Sequence, residues 1–357
     1  MNNAAVPKAT SGVKAFEAAF ALLEEAVRSM ATPGAVLASG WGTETDAVRA
    51  CGSAEVEPEP RAMTTGTAFD LASLTKVVAT LPVVLHLLAT NTIGLGTRVA
   101  DVLEGFGSDP PERAMVTVEH LLTHTSGLPG ERKYWRLGLS PDALRRRFLT
   151  EPLVNPPGLV VTYSDLGFML LGWLVEAVTG QGLGAVVTEW VCRPLGLAST
   201  GYGPWRQGNV AATELGPDGR PRVGVVHDGN AAALQRPAGH SGLFSTAGDL
   251  TAYLQAWTVP GDSWLPRRLR EEAVTDRTAS LNGHRGLGWV GRHDGYDQLS
   301  DSWPESAVFH SGFTGTSLAL DMPSGRWVVM LTNDVHFGRD RGVINDLRRA
   351  VHSALAP

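Results

Sequence analysis

The apolar positions of this chain follow two spacings, and the two occupy different parts of it. Near the start, Val13, Phe16, Phe20, Leu23, Val27 and Met30 recur at three- and four-residue steps, with Glu17, Glu24, Glu25 and Arg28 between them. That pattern predicts an amphipathic helix. Thr32-Pro33-Gly34 ends it, Ala35 to Trp41 reads as a strand, and a second short strand fits Val48 to Gly52. Short apolar runs broken by glycine or turn residues return near the far end, at Gly286 to Val290, Ala307 to Phe309, Ser317 to Met322 and Trp327 to Leu331, before a final helix over Val343 to Leu355. Between Leu95 and about Leu254 the patterns are mainly helical and loop-like. Strands at both ends around a helical middle predict an α/β (α+β) fold, with one sheet built from both parts of the chain and a helical region inserted. The expected division is a flexible tail over 1–12, a sheet domain from 13–94 and 240–357, and a mainly helical domain over 95–239.

One apolar stretch carries chemistry. Leu74, Val77, Val78, Leu81, Val84, Leu85 and Leu88 share a helical face, which predicts a buried helix opened by Ser73. The uncharged run from Val77 to Thr97 has the length of a membrane span, but Pro82, Asn91, Gly94 and Gly96 dilute it, so a buried helix and a turn are expected. Lys76, one turn after Ser73, faces the same point. A serine attacks a carbonyl only when a base takes its proton, and a lysine kept partly neutral by burial can be that base. Ser11-Gly12-Val13-Lys14 has the same spacing, so the tetrapeptide alone decides nothing. Context favours Lys76: lysines stand only at 8, 14, 76 and 133 among 30 basic residues, leaving 30 − 4 = 26 arginines, and arginine cannot act as a base.

Composition narrows the classes. A chain of 357 residues with 43% hydrophobic and 18% charged content is globular, and a net charge of −6 without a basic cluster argues against nucleic acid. The glutamates of the first helix interrupt any secretion-signal core, so a cytoplasmic protein without a membrane partner is expected. Cys51 and Cys192 form no framework and read as reduced thiols. His120 and His124 stand four apart without a third ligand, so neither a metal nor another cofactor is expected.

Two further candidates follow. Tyr163 precedes the apolar segment Leu166 to Val178, a buried helix closed by Gly180, and a phenol near a cation can shuttle protons. Ser164 or Asp165 would cap that helix. Phe309-His310-Ser311-Gly312-Phe313-Thr314-Gly315-Thr316 lies between two predicted strands, where Gly312 would let the backbone approach a substrate carbonyl and His310 would orient a substrate carboxylate or meet Tyr163. Glu119 to Gly127 and Gly239 to Ser245 read as scaffold. Several of the 10 tryptophans, among them Trp135, Trp205, Trp264 and Trp303, fall in loop-like segments and are candidates for an aromatic rim.

Ser73-Leu74-Thr75-Lys76, Tyr163-Ser164-Asp165 and His310-Ser311-Gly312, in this order, resemble the three motifs of the penicillin-recognising serine enzymes, specifically the class C β-lactamase-like family with its family VIII-type carboxylesterases. His124 to Leu128 and Gly242 to Thr246 read the same way, so the resemblance covers about residues 15 to 355. It implies an antiparallel sheet flanked by the terminal helices, a helical domain, and a cleft between them. It also implies Ser73 as nucleophile, Lys76 as its base partner, Tyr163 as general acid and base, and an oxyanion hole from the N–H groups of Ser73 and Phe313. Asp165, His310, Ser311 and Gly312 are then expected to bind substrate. β-Lactamases of this class usually carry asparagine in place of Asp165 and Lys-Thr-Gly in place of His310-Ser311-Gly312. Without that lysine a β-lactam carboxylate loses its partner unless His310 is protonated. The expected activity is acyl transfer from a small-molecule ester or amide to water, with an alcohol or amine acceptor as the alternative and a catalytically silent binding protein as the third reading.

Overall fold

The computed structural model describes residues 8–107, 109–216, 218–338 and 341–357. The first helix runs Lys8–Arg28, so residues 8–12 of the expected tail are helical, and residues 1–7 lie outside the described ones. Strands β1 (Gly34–Trp41), β2 (Glu44–Glu55) and β3 (Arg61–Ala62) come next, followed by β4 (Phe69–Asp70). The middle of the chain adds β5 (Gly201–Tyr202), β6 (Ala212–Leu215), β7 (Pro221–Val223) and β8 (Leu243–Ser245). The far end supplies β9 (Val290–Gly291), β10 (Val308–Ser311), β11 (Ser317–Asp321) and β12 (Arg326–Thr332), before a closing helix over Arg341–Ala354.

One seven-stranded antiparallel sheet joins the two ends in the order β3-β2-β1-β12-β11-β10-β9, with Ala35 opposite Thr332 and Trp41 opposite Arg326. Its central strands are apolar on both faces, which is why they read as unbroken runs rather than alternating ones. Leu37, Phe309, Ala319, Val328 and Met330 face a core with Phe16, Phe20, Leu23, Ile344 and Val351 of the two terminal helices. Their neighbours Val36, Ala38, Val308, Leu318, Leu320 and Val329 face the opposite way, into the larger core that holds the helical middle of the chain.

Three local expectations change. The helix expected from Ser73 is not one regular α-helix: Ala72–Leu74 is a 3₁₀ turn, Lys76–Thr80 is wound as a π-helix, and only Leu81–Ala89 is α-helical. Pro82 has no N–H to give the turn before it, Leu81 N–H bonds instead to the Lys76 carbonyl, and the Tyr253 hydroxyl donates to the Val77 carbonyl oxygen. Ala72–Ala89 is long and apolar enough to cross a membrane, with a mean hydropathy of 1.7, but 78% of it is buried inside this fold. The strand expected over Gly286 to Val290 shrinks to Val290–Gly291 because Gly286 N bonds to Trp289 O, Leu287 N to Ala273 O and Gly288 N to Leu122 O, outside any ladder. The two-to-four-residue strands β4 to β8 are too short to show a period.

Two contacts connect the sheet to the cleft. The buried Arg348 of the closing helix donates to the carbonyl oxygens of Gly312 (2.7 Å) and Thr316 (2.9 Å), which fixes the turn after β10. Gly312 then lies so close to the chain before Ser73 that an added Cβ would stand 2.2 Å from Thr316 Oγ1 and 2.3 Å from Leu71 O. Gly312→Ala is therefore expected to destabilise the fold by about 1–3 kcal/mol, as overpacking does, read as a lowered urea midpoint with an unchanged slope.

Candidate active site

Burial of an apolar helix start brings Lys76 fully inside, and its ammonium has three acceptors. Nζ donates to Ser73 Oγ at 2.9 Å, to Asp165 Oδ1 at 2.7 Å and to the His240 carbonyl oxygen at 3.1 Å. Burial by itself would push the pKa of Lys76 down, but Asp165 and then Tyr163 outweigh it, and the amine is held above the ordinary lysine range. The phenol of Tyr163 is pushed up by burial and by Asp165, against the pull of Lys76. Both groups are thereby held toward their protonated forms, against the partly neutral lysine expected from burial. The cause is Asp165. Ser164 takes the cap of the Asp165–Thr179 helix, its Oγ accepting from Gly167 N, while Asp165 N donates to Gly130 O. The Asp165 carboxylate is thus left to turn toward Lys76.

A cavity of about 520 Å³ opens above these groups. Ser73, Tyr163, Asp165 and Phe313 line it, together with Glu131, Trp135, Glu214, Arg222, His227, Asp228, His240 and Tyr296. Ser73 and Phe313 come from distant segments, joined where Thr314 Oγ1 donates to Asp70 O (2.6 Å) and Thr316 Oγ1 to Leu71 O (3.2 Å).

His310, Ser311 and Gly312, expected to bind substrate, are not among the residues that line the cavity. The His310 ring is buried 6.3 Å from the ring of Tyr163. Its Nδ1 lies 3.0 Å from the Ser311 carbonyl oxygen, which assigns the proton to Nδ1. Burial, with Lys76 and Arg285 nearby, holds this histidine well below its ordinary pKa, so it offers no cation to a carboxylate. Gly312 serves the close approach of two backbones. Of the four tryptophans considered for a rim, Trp135 lines the cavity; Trp303 is buried against His352 O, Trp264 donates to Trp190 O, and Trp205 stacks on Phe244.

The two motifs read as scaffold do more than that. His124 accepts from Ser164 N (3.0 Å) and packs its ring 4.6 Å from that of Tyr163, which fixes the turn carrying the phenol. His240 gives its carbonyl to Lys76 and its Nε2 to Asp228 Oδ1 (2.9 Å), and its proton partner keeps Asp228 well below the usual carboxylate range despite burial. His120 accepts from Thr117 N as part of a helix cap, and among the described residues no group of three or more His, Cys, Asp or Glu is placed to hold a metal. Cys51 and Cys192 are unpaired, their thiols pushed up to about 11 and about 12 by burial.

Sequence reasoning passed over Asp70 and Arg285. Asp70, three residues before Ser73, accepts from Ala72 N and His227 N, both at 2.8 Å. It thereby holds Ala72 at φ +47° beside Ser73 and ties that turn to the far wall of the cleft. Burial pushes its pKa up to about 6. Its spacing from Ser73 was the available signal. Arg285 sits over Tyr163, its guanidinium carbon 5.7 Å from the ring centroid, paired with Asp294. No spacing announces that contact.

The β-lactamase family's sequence model matches residues 20–353. A putative D-alanyl-D-alanine carboxypeptidase of Escherichia coli (strain K12) is 31% identical over 339 residues, 84% of this chain and 76% of that protein. The N-acetylmuramyl-L-alanine amidase of Bacillus subtilis (strain 168) is 30% identical over 323 residues, 79% of this chain and 71% of that one. Among solved structures, EstCE1, a hydrolase with promiscuous acyltransferase activity, superposes with a TM-score of 0.78 at 23% identity, covering 97% of this chain and 99% of its own. Unliganded simvastatin synthase (LovD) of Aspergillus terreus superposes with a TM-score of 0.73 at 20% identity, covering 95% and 97%. The last two likenesses concern the fold. With the motifs in place, the family pattern spanning nearly the whole chain and relatives at 30% identity or above, the chain belongs to the β-lactamase family.

Proposed function

We propose that this protein is a serine hydrolase that cleaves a small ester or amide through an acyl-enzyme on Ser73. The observation that carries the reading is the 2.9 Å contact of Lys76 Nζ with Ser73 Oγ, at the floor of a cavity that Tyr163 also lines. In this reading the amine of Lys76, once it has released a proton, takes the proton of Ser73 as Oγ bonds to the carbonyl carbon. The electron pair displaced onto the carbonyl oxygen meets the N–H groups of Ser73 and Phe313. The intermediate collapses, the bond to the leaving group breaks, and Tyr163 gives that group its proton and is reprotonated from Lys76. Water then attacks the ester carbon, loses a proton along the same path, and Ser73 leaves with one.

The lining favours neutral substrates. Among the described residues of the cavity wall Arg222 is the only arginine or lysine, against the carboxylates of Glu131, Asp165, Glu214 and Asp228. Carboxylate-bearing peptides and β-lactams are therefore placed behind neutral esters and amides, although relatives are named for D-alanyl-D-alanine cleavage. Transfer to an alcohol or amine is the second reading. The size of the cavity and the half-exposed Trp135 on its wall favour it, since a second organic molecule has room and an apolar surface.

Three outcomes are expected. A fluorophosphonate adds one label to the wild type and none to Ser73→Ala in intact-mass spectra; a label surviving in Ser73→Ala overturns the assignment. Tyr163→Phe lowers both acylation and deacylation by about 10²–10⁴-fold, the range of general acid–base catalysis, whereas an effect on KM alone makes Tyr163 a binding residue. The third concerns pH. Asp165 holds the pKa of Lys76 up, so activity that needs the free amine rises as pH climbs through that raised value. Asp165→Asn lowers it, and the alkaline rise of kcat/KM moves to lower pH; an unmoved rise assigns the base to another group.

A further inference from the structure

Beside the active-site cleft lies a second cavity of about 390 Å³, and the two share a wall. Tyr202, Pro204, Val225 and Val226 line the second cavity, while Ala232 and Ser241 line both. The volume falls within the ~300–1,000 Å³ of small-molecule sites, and the lining has their apolar character. Val225 is 50% exposed, an aliphatic side chain left to solvent at this place. Ala232, on the Gly229–Leu234 helix, is an exposed alanine that borders both cavities. Arg236 in the second cavity is engaged with Glu176 at 2.9 Å, so the site offers no free cation to an anionic group.

We propose that the second cavity receives the apolar tail of the substrate, a neutral alkyl or aryl chain carried by an ester or amide whose carbonyl lies at Ser73. This rests on the acyl-enzyme reading of Ser73 and adds what is recognised. Such a chain crosses Ala232, which lines both cavities. The tail is the acyl chain or the alcohol chain of the ester, and the experiment separates the two.

The test uses two series on the full chain, 4-nitrophenyl esters from acetate to octanoate and alkyl acetates from ethyl to octyl. In the wild type, kcat/KM rises with chain length in the series whose tail enters the cavity, by about fourfold per methylene at the transfer value of a buried CH₂. Val225→Trp fills the cavity from its exposed side: the rise flattens while 4-nitrophenyl acetate is turned over as before, and Val225→Phe gives a smaller effect in the same direction. Ala232→Trp, which adds bulk at the border of both cavities, also flattens it. No rise in either series, or a rise that none of these variants changes, overturns the proposal. Binding without turnover keeps the two readings apart. Octanamide, or N-octylacetamide where the alkyl acetates carry the rise, is expected to bind Ser73→Ala in calorimetry and to lose at least tenfold in affinity when Val225→Trp is added. Equal binding with and without Val225→Trp, or no binding, overturns the tail site whatever the fate of the acyl-enzyme. Binding lost with Val225→Trp while no ester is hydrolysed supports the site and rejects the hydrolase reading.

Discussion

A buried ammonium with three acceptors holds this structure to one arrangement. Lys76 reaches Ser73, Asp165 and the His240 carbonyl at once, and these come from segments 3, 89 and 164 residues away. Removing one member of a buried ion pair leaves the other charge uncompensated, which is far costlier than losing a surface contact. The π-wound turn at Lys76, the cap that frees Asp165 and the close passage of the Gly239-His240 backbone all deliver these acceptors. Thr80 Oγ1 donating to Gly239 O at 2.6 Å fixes that passage, and a Cβ at Gly239 would stand 2.0 Å from Phe168 O. The cleft is thus organised from beneath by a charge that never meets solvent.

The sheet supplies the second constraint. Because both of its faces are buried, a one-residue slip of its central strands would carry the side chains fitted to one core into the other. A fixed β10 carries a fixed turn, which Arg348 holds from one side and the Asp70-Leu71 backbone from the other. The closing helix and the chain before Ser73 thereby set where Phe313 stands relative to Ser73. Asp70 extends the tie across the cleft to His227, so the turn before Ser73, the turn after β10 and the far wall are joined by hydrogen bonds.

Charge, more than shape, separates this cleft from one built for anionic substrates. In the third motif the chain carries His310, which burial and its cationic neighbours keep neutral. Arg285 brings a positive charge near Tyr163 from another segment, but Asp294 matches it at 2.9 and 2.7 Å. The permanent charges left on the cavity wall are mostly carboxylates. Lys76 is itself balanced by Asp165.

What the sequence by itself determined was whatever local spacing or a fixed order of motifs can encode. The terminal helices, the strands β1 and β10 to β12, the capped helix after Ser164, and the choice of Ser73, Lys76 and Tyr163 as one set were legible, because periodicity and residue chemistry act over a few residues. Tertiary structure alone decided the protonation states. Burial argued for a neutral Lys76, and only the arrival of Asp165 across 89 residues reverses the sign. It also decided that His310 faces inward, that Arg285 meets Tyr163, and that His124 and His240, which looked like scaffold, hold the Tyr163-Ser164 turn and the Lys76 amine. Each of these is a long-range electrostatic or packing relation. Its energy depends on distance and on what water is excluded, and neither is written in the spacing of residues along the chain.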